Sequence, residues 1–146
     1  QVMTARLRQN LNWRALHWDN TLTWQKSADD SVIPLPQFVV YSNLYALFRI
    51  ATLRVQLGID CDWYTKYYAP AYQPATMGFA VQRDIKIGNY PFMNLYANMY
   101  LGKVRFYVMM SHINQGIIGG NNWFSMPHYP LNPRRFQLGL SVDFAN

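Results

Sequence analysis

Apolar and polar residues alternate with a period of two along most of the chain. In the clearest run, odd positions from Leu53 to Trp63 are apolar and even positions from Thr52 to Asp62 are polar or small. On a helix this pattern would scatter charge over every face, whereas on a strand it gives one apolar and one polar face. The same split recurs elsewhere, and we predict seven strands in all, at 3–13, 16–24, 38–50, 51–63, 93–101, 104–111 and 135–144.

The connections between these segments alternate between short and long. At most two residues separate the strands near positions 14, 51 and 102, whereas the joins at 26–37, 67–90 and 114–134 are long and contain Pro or Gly. This alternation is typical of an up-and-down meander with short turns at one end, here called the smooth end, and long loops at the other. We also expect the stretch 78–86 to extend a strand beyond the body of the sheet.

Strand length separates two kinds of sheet that share this pattern. A soluble sandwich or small barrel also alternates, but its strands usually have about five or six residues, whereas a tilted membrane strand needs roughly 9–11. The predicted strands mostly fall in the longer class, and no uninterrupted apolar run approaches the roughly 18 residues of a membrane helix. We therefore predict an all-β fold, a transmembrane antiparallel up-and-down β-barrel.

Large aromatic side chains lie on the apolar parity of the predicted strands, many of them near strand ends. Outer-membrane barrels carry such residues as girdles at the two membrane interfaces. Trp18 lies in mid-strand and does not fit a girdle, although lipid would tolerate it. We expect the following residues to face the membrane or form the girdles: Trp13, Trp18, Trp24, Phe48, Trp63, Phe106, Phe136 and Phe144.

The charged residues are few and mostly basic. They make up 14% of the chain, against about 25% in an average soluble domain, and the net charge is +6 with no Glu present. Most lie on the polar parity, interleaved with tyrosine, where a barrel lumen would be biased toward anions. The expected pore-lining residues are Arg6, Arg8, Asp19, Tyr45, Arg49, Arg54, Asp60, Asp62, Tyr96, Lys103, Arg105, Tyr107, Arg135 and Asp143. A solvent-facing sheet with these residues could bind nucleic acid; in a barrel we expect no nucleic-acid partner.

The sequence offers no arrangement typical of catalysis. Asp60 and Asp62 share a face, but acid–base chemistry needs a second, differently tuned group in a pocket. The three histidines lack metal-ligand spacing, and the single cysteine, Cys61, excludes an internal disulfide. We therefore expect no enzyme activity, no metal and no cofactor.

Seven strands are an odd number for a bacterial single-chain barrel, which normally has an even count. An open sheet in lipid would leave two edges unsatisfied. We therefore expect at least one more strand before Gln1, so that residues 1–146 form the C-terminal part of a single, larger barrel domain.

Several stretches carry a family resemblance: LPQFVVYSNLYALF, LGIDCDWYTKYYAPAYQPATMGFAVQ, IGNYPFMNLYANMYL, RFYVMMSHINQG and MPHYPLNPRRFQLGLSVDF. They cover most of residues 35–144 and resemble the C-terminal part of the putative porin family of Bacteroides-type outer membranes; residues 1–34 match only in barrel character. The resemblance implies an outer-membrane porin for passive diffusion of small hydrophilic solutes. It also implies that the barrel assembly machinery reads the C-terminal strand, although Ala145 and Asn146 follow Phe144 where a second aromatic is common.

The expected partners are outer-membrane lipid, the assembly machinery, and a possible oligomer or larger outer-membrane complex. Two other functions stay open at this point. The barrel could be a structural or docking subunit with a plugged lumen, or the chain could be a soluble β-rich module that binds anionic ligands.

Overall fold

A computed structural model of the protein describes residues 1–118, 120 and 122–144, and these residues form strands and no helix. None of the described residues belongs to a helix long and apolar enough to cross a membrane. The strands are β1 (Val2–Trp13), β2 (Leu16–Ser27), β3 (Phe38–Ile50), β4 (Leu53–Tyr64), β5 (Ala71–Gln73), β6 (Gly78–Ala80), β7 (Phe92–Leu101), β8 (Val104–Ser111), β9 (Phe124–Met126), β10 (Tyr129–Pro130) and β11 (Arg135–Val142).

Seven of these strands form one antiparallel sheet in the order β1-β2-β3-β4-β7-β8-β11. Each strand pairs with the preceding long strand in the chain, so the predicted all-β meander of seven strands is confirmed. The sheet is not closed, because β1 and β11 do not pair with each other. It is consistent with part of a barrel.

The two remaining strand pairs are small hairpins inserted in the long connections. β5 pairs with β6 in the second long connection, and β9 pairs with β10 in the third. The expectation that 78–86 extends a strand of the sheet is therefore wrong. The chain turns after Pro74, with a positive φ of 50° at Met77, and folds residues 78–80 back onto residues 71–73 instead.

Tight turns close the smooth end of the sheet. Two residues connect β1 to β2, β3 to β4 and β7 to β8, and the first residue of each turn has positive φ: Arg14 at 55°, Ala51 at 53° and Gly102 at 57°. A type II′ turn requires positive φ at this position, and its twist matches that of the flanking strands.

The hairpins are staggered. Leu16, the first residue of β2, lies opposite Ala46, whereas β3 runs four residues further, to Ile50. At about 3.3 Å per residue this stagger is roughly 13 Å. Barrel sheets combine such a stagger with strand tilt.

Burial is concentrated outside the sheet. Among the described residues, the buried apolar side chains are Ala69, Ile87, Tyr90 and Pro127, all in the long connections. Within the seven-stranded sheet only Thr23, Ser27 and Gly58 are buried. The sheet thus buries no apolar side chain against another layer of the described structure.

Candidate functional site

The cross-strand register places the predicted pore-lining residues of the strands on one face, here called the polar face. One row runs from Asn10 through Asp19, Asn43 and Asp60 to Asn94. A second row, closer to the tight turns, runs from Arg49 through Arg54 and Tyr100 to Arg105. Lys103 lies in the β7–β8 turn, where its carbonyl oxygen accepts a hydrogen bond from the amide of Asp143.

A hydrogen-bonded network covers the middle of the polar face. Asn94 Nδ2 donates to Asp60 Oδ1 at 2.7 Å, and Asn10 Nδ2 donates to Asp19 Oδ1 at 2.9 Å. The Tyr96 hydroxyl donates to Asn43 Oδ1 at 2.9 Å. Each contact joins different strands, so the polar side chains of the sheet fix one another in place.

The network continues toward the tight turns. Gln56 Nε2 lies 3.5 Å from the Tyr96 hydroxyl, and Asn98 Nδ2 donates to Gln56 Oε1 at 3.3 Å. Arg105 Nη2 in turn donates to Asn98 Oδ1 at 3.1 Å. A chain of polar contacts therefore links the row that contains Asp19 and Asp60 to the row that contains Arg49, Arg54 and Arg105, here called the arginine row.

Tyrosine rings on the polar face lie over glycines of neighbouring strands. A Cβ atom added to Gly58 would lie 2.5 Å from Tyr96 Cζ and 2.8 Å from Tyr45 Cβ. A Cβ on Gly139 would collide with the Tyr107 ring. The rings of Tyr96 and Tyr107 therefore lie flat against the sheet. Each occupies the space that a side chain at the neighbouring glycine would otherwise fill.

Arginine side chains gather at the turn end of the polar face. Arg49 and Arg54 are direct cross-strand partners. The Cζ atoms of Arg54 and Arg105 lie 5.6 and 5.5 Å from the centre of the Tyr100 ring. Such contacts between a guanidinium and an aromatic ring are favourable and hold the guanidinium in place.

The remaining predicted basic residues lie on the edge strands. Arg6 and Arg8 are exposed on β1, opposite Thr23 and Thr21. Arg135 begins β11, and its Nη2 donates to Asn132 Oδ1 at 3.1 Å. These residues share the polar face but do not join the arginine row.

The predicted membrane-facing residues of the strands share the opposite face, here called the apolar face. The register aligns Phe48 with Val55, Met99 and Phe106 in one row. Exposure on this face is high, with Trp13 at 75% and Phe136 at 62%. Trp24 and Trp63 lie on the same face near the long connections, and Phe144 follows β11.

Trp18 belongs to a small polar cluster on the apolar face. It is the third residue of β2 rather than a mid-strand residue, although it lies opposite Leu44 in the middle of β3. Its Nε1 donates to Ser42 Oγ at 2.8 Å, and the Ser42 hydroxyl donates to Asn20 Oδ1 at 2.7 Å. The indole N–H of Trp18 and the hydroxyl hydrogen of Ser42 therefore both have hydrogen-bond acceptors within the protein.

The second and third long connections, between β4 and β7 and between β8 and β11, pack together into a layer, here called the loop layer. His112 is fully buried, with Nδ1 2.7 Å from the Asn132 carbonyl and Nε2 2.7 Å from the Tyr90 hydroxyl. Because a carbonyl only accepts, Nδ1 carries the hydrogen; in the neutral ring Nε2 then accepts from Tyr90. The Trp123 ring packs edge-on against His112 at 5.4 Å.

Tyrosines join different parts of the loop layer. The Tyr64 hydroxyl donates to the Phe124 carbonyl at 3.2 Å, and the Tyr72 and Tyr129 rings meet edge-on at 6.3 Å. Burial raises the pKa of Tyr90, a shift that nearby Arg134 and a hydrogen bond with Asn114 oppose. This cluster therefore stabilises the long connections.

Sequence reasoning missed the residues that organise both regions. Gln56, Asn98 and Tyr100 carry no sequence signal beyond their place on the polar parity, and Gly58 and Gly139 carry no local signal of their own. The burial of His112 depends on contacts with Tyr90 and Asn132, which lie about 20 positions away in sequence. A correct cross-strand register could have suggested the polar-face residues. No local feature of the sequence indicates the burial of His112.

An antiparallel meander with an exposed apolar face and a hydrogen-bonded polar face is the architecture of a membrane β-barrel wall. A family model described as "Putative porin" matches residues 1–146 of this chain. The chain belongs to that family, and the match includes residues 1–34, where the sequence alone indicated only barrel character. Neither a comparison with curated proteins nor one with solved structures gave a match.

Proposed function

We propose that the chain forms part of a porin in the outer membrane of a Gram-negative bacterium. Small hydrophilic solutes diffuse passively along its polar face, with a weak preference for anions. One observation carries this proposal: the seven-stranded sheet buries no apolar side chain. A sheet that exposes its apolar face needs lipid to cover that face.

The polar face supplies the conduction path in this proposal. The amide, hydroxyl and carboxylate groups in the middle of this face, among them those of Asp19, Asp60 and Tyr96, are hydrogen-bonded across strands, so they present a fixed polar wall to water and solute. Pore width and wall charge determine passage, and no bond is made or broken, so the protein is not an enzyme. The arginine row favours anions, and the carboxylates Asp19 and Asp60 moderate that preference.

The exposed apolar face argues against a soluble binding module. Leu57 and Leu95 in the centre of the sheet are 46% and 42% exposed, and a soluble protein rarely leaves so continuous an apolar surface uncovered. We expect the native protein to require detergent for solubility. Outer-membrane lipid is the proposed partner of this face, and the assembly machinery the proposed partner of β11.

The decisive experiment is planar-bilayer recording of the native protein in a salt gradient. We expect discrete conductance steps and a reversal potential that leans toward anions. A protein that is folded and inserted but electrically silent would contradict the porin proposal.

The packed loop layer favours a second candidate, a docking barrel whose lumen is closed by its loops. His112 and Ile87 are completely buried there, which is unusual for loops that merely surround an open pore. Recording before and after protease treatment separates the two proposals. Conductance that appears only after the loops are cleaved would support the plugged barrel, and conductance from the start would oppose it.

A further inference from the structure

Arg49 and Arg54 place two like charges directly opposite each other on β3 and β4. Like charges in this arrangement destabilise a sheet. Among the described residues, no carboxylate is ion-paired with either side chain. Asp60 on the same strand lies six residues from Arg54, or about 20 Å at the usual rise of a strand. The repulsion is therefore not relieved within the described part of the sheet.

An open cleft of about 430 Å³ lies beside this pair. Arg49, Arg54, Gln56 and Tyr100 line it, and the remaining walls are apolar. The Tyr100 ring holds the Arg54 guanidinium, since the ring centre is 5.6 Å from Cζ. A donor held in place before binding loses less entropy when the ligand arrives. The Gln56 side chain adds a further polar group at the same cleft.

We propose that Arg49 and Arg54 form a binding site for a single oxyanion group, phosphate or carboxylate, of a solute that moves along the polar face. The proposal rests on the proposed porin function. Guanidinium groups bind such oxyanions in a bidentate manner, and an anion between two of them cancels their repulsion. Arg105 lies on the far side of Tyr100 and supplies long-range attraction rather than a contact.

Binding of inorganic phosphate to the native protein in detergent tests the site, by calorimetry at an ionic strength fixed with chloride. Removal of one charge-assisted contact should weaken binding at least about tenfold, so we expect that loss for Arg49→Gln and for Arg54→Gln. Arg54→Lys, which keeps the charge but loses the planar fork, should give a smaller loss. A parallel titration with acetate shows which oxyanion the site prefers, and we expect phosphate to bind more tightly because it carries more charge.

Arg14→Gln is the matched control. It removes the same charge at the same end of the sheet, from an exposed turn residue outside the cleft. We expect phosphate affinity to be unchanged in this variant. An equal loss in Arg14→Gln, an unchanged affinity in Arg54→Gln, or no phosphate binding by the native protein would overturn the site.

The outcome is separable from that of the porin proposal. Conductance steps without phosphate binding would overturn the site and leave the pore standing. Phosphate binding that depends on Arg49 and Arg54 in an electrically silent protein would support the site and overturn the pore.

Discussion

At the level of single residues, glycine decides where the tyrosines of the polar face can lie. Tyr107 leans over Gly139 on β11, and Tyr96 leans over Gly58 on β4. Each pair joins neighbouring strands and keeps a bulky ring close to the wall. The free space in front of the wall therefore depends on a glycine as much as on the tyrosine itself.

Gly139→Ala should destabilise the folded protein by about 1–3 kcal/mol, the usual cost of overpacking. The added methyl group would collide with the Tyr107 ring. Urea unfolding in detergent measures the change. Gly78→Ala is the control, because the nearest atom to a Cβ there lies 3.7 Å away. Equal stability of the two variants would contradict the prediction, and adding Tyr107→Ala should recover part of the loss.

The second prediction at this scale concerns the buried phenol of Tyr90. Burial raises its pKa, so the folded loop layer holds this proton above pH 10, where exposed tyrosines ionise. Its contribution to stability is complete below the unfolded pKa and is lost as pH rises through the raised folded pKa. Tyrosinate absorbance is followed as pH is raised, in the native protein and in Tyr90→Phe. The difference between the two curves gives the ionisation of Tyr90 in the folded state. Ionisation of Tyr90 together with the exposed tyrosines would contradict it.

At the level of elements, the tight turns and the long connections have different roles. The turns only reverse the chain, and their positive φ angles provide the required twist. The second and third long connections carry their own hairpins and a buried core that includes Ile87 and His112. The loop layer is thus a second structured region, joined to the ends of the strands.

His112→Ala should loosen the loop layer while the sheet stays folded. The change removes two buried hydrogen bonds, with Tyr90 and Asn132. At about 1 kcal/mol each, their loss would increase the open population of these loops roughly 30-fold. The rate of limited proteolysis in the long connections, compared between the unmodified protein and His112→Ala, measures this increase.

His128→Ala is the control for this experiment, because His128 is exposed in the same connection. Its cleavage rate should equal that of the unmodified protein, and circular dichroism should show an intact sheet in both variants. Equal cleavage rates for the His112 and His128 variants would show that the His112 contacts do not hold the loops.

At the level of the whole molecule, burial is the reverse of that in a soluble sheet. The apolar face is exposed, whereas the polar side chains pair with one another across strands. Charge is also distributed along the strands, with Arg49, Arg54 and Arg105 at the turn end and Asp60 nearer the middle. A solute that follows this face would meet these charges in sequence.

Arg54→Glu and Arg105→Glu should shift the reversal potential of the native pore toward cations. Each variant replaces a positive with a negative charge on the polar face, where the charge of the wall sets ion preference. Bilayer recording in a salt gradient measures the shift. Arg14→Glu, at the turn outside the arginine row, should have a smaller effect. Unchanged selectivity in all three variants would contradict the assignment of Arg54 and Arg105 to the pore wall.

The period of two by itself determined most of the sheet. Alternation identified all seven long strands and assigned each side chain to a face, because successive residues of a strand point to opposite sides. Turn length set the antiparallel pairing within the three hairpins β1–β2, β3–β4 and β7–β8, since two residues can only reverse the chain. In the sequence alone, the apolar odd positions from Leu53 to Trp63 and the polar or small even positions from Thr52 to Asp62 already define the two faces of a strand.

Register and long-range packing were decided only by the tertiary structure. Alternation is unchanged when a strand slides by two residues, so across the long connections it could not place Arg54 opposite Tyr100 or Tyr107 over Gly139. The loop layer has no period to read, and its fold depends on contacts such as Tyr90 with His112 that join separate connections. A strand pattern therefore encodes which way a side chain points, whereas the choice of its neighbours is made by the assembled sheet.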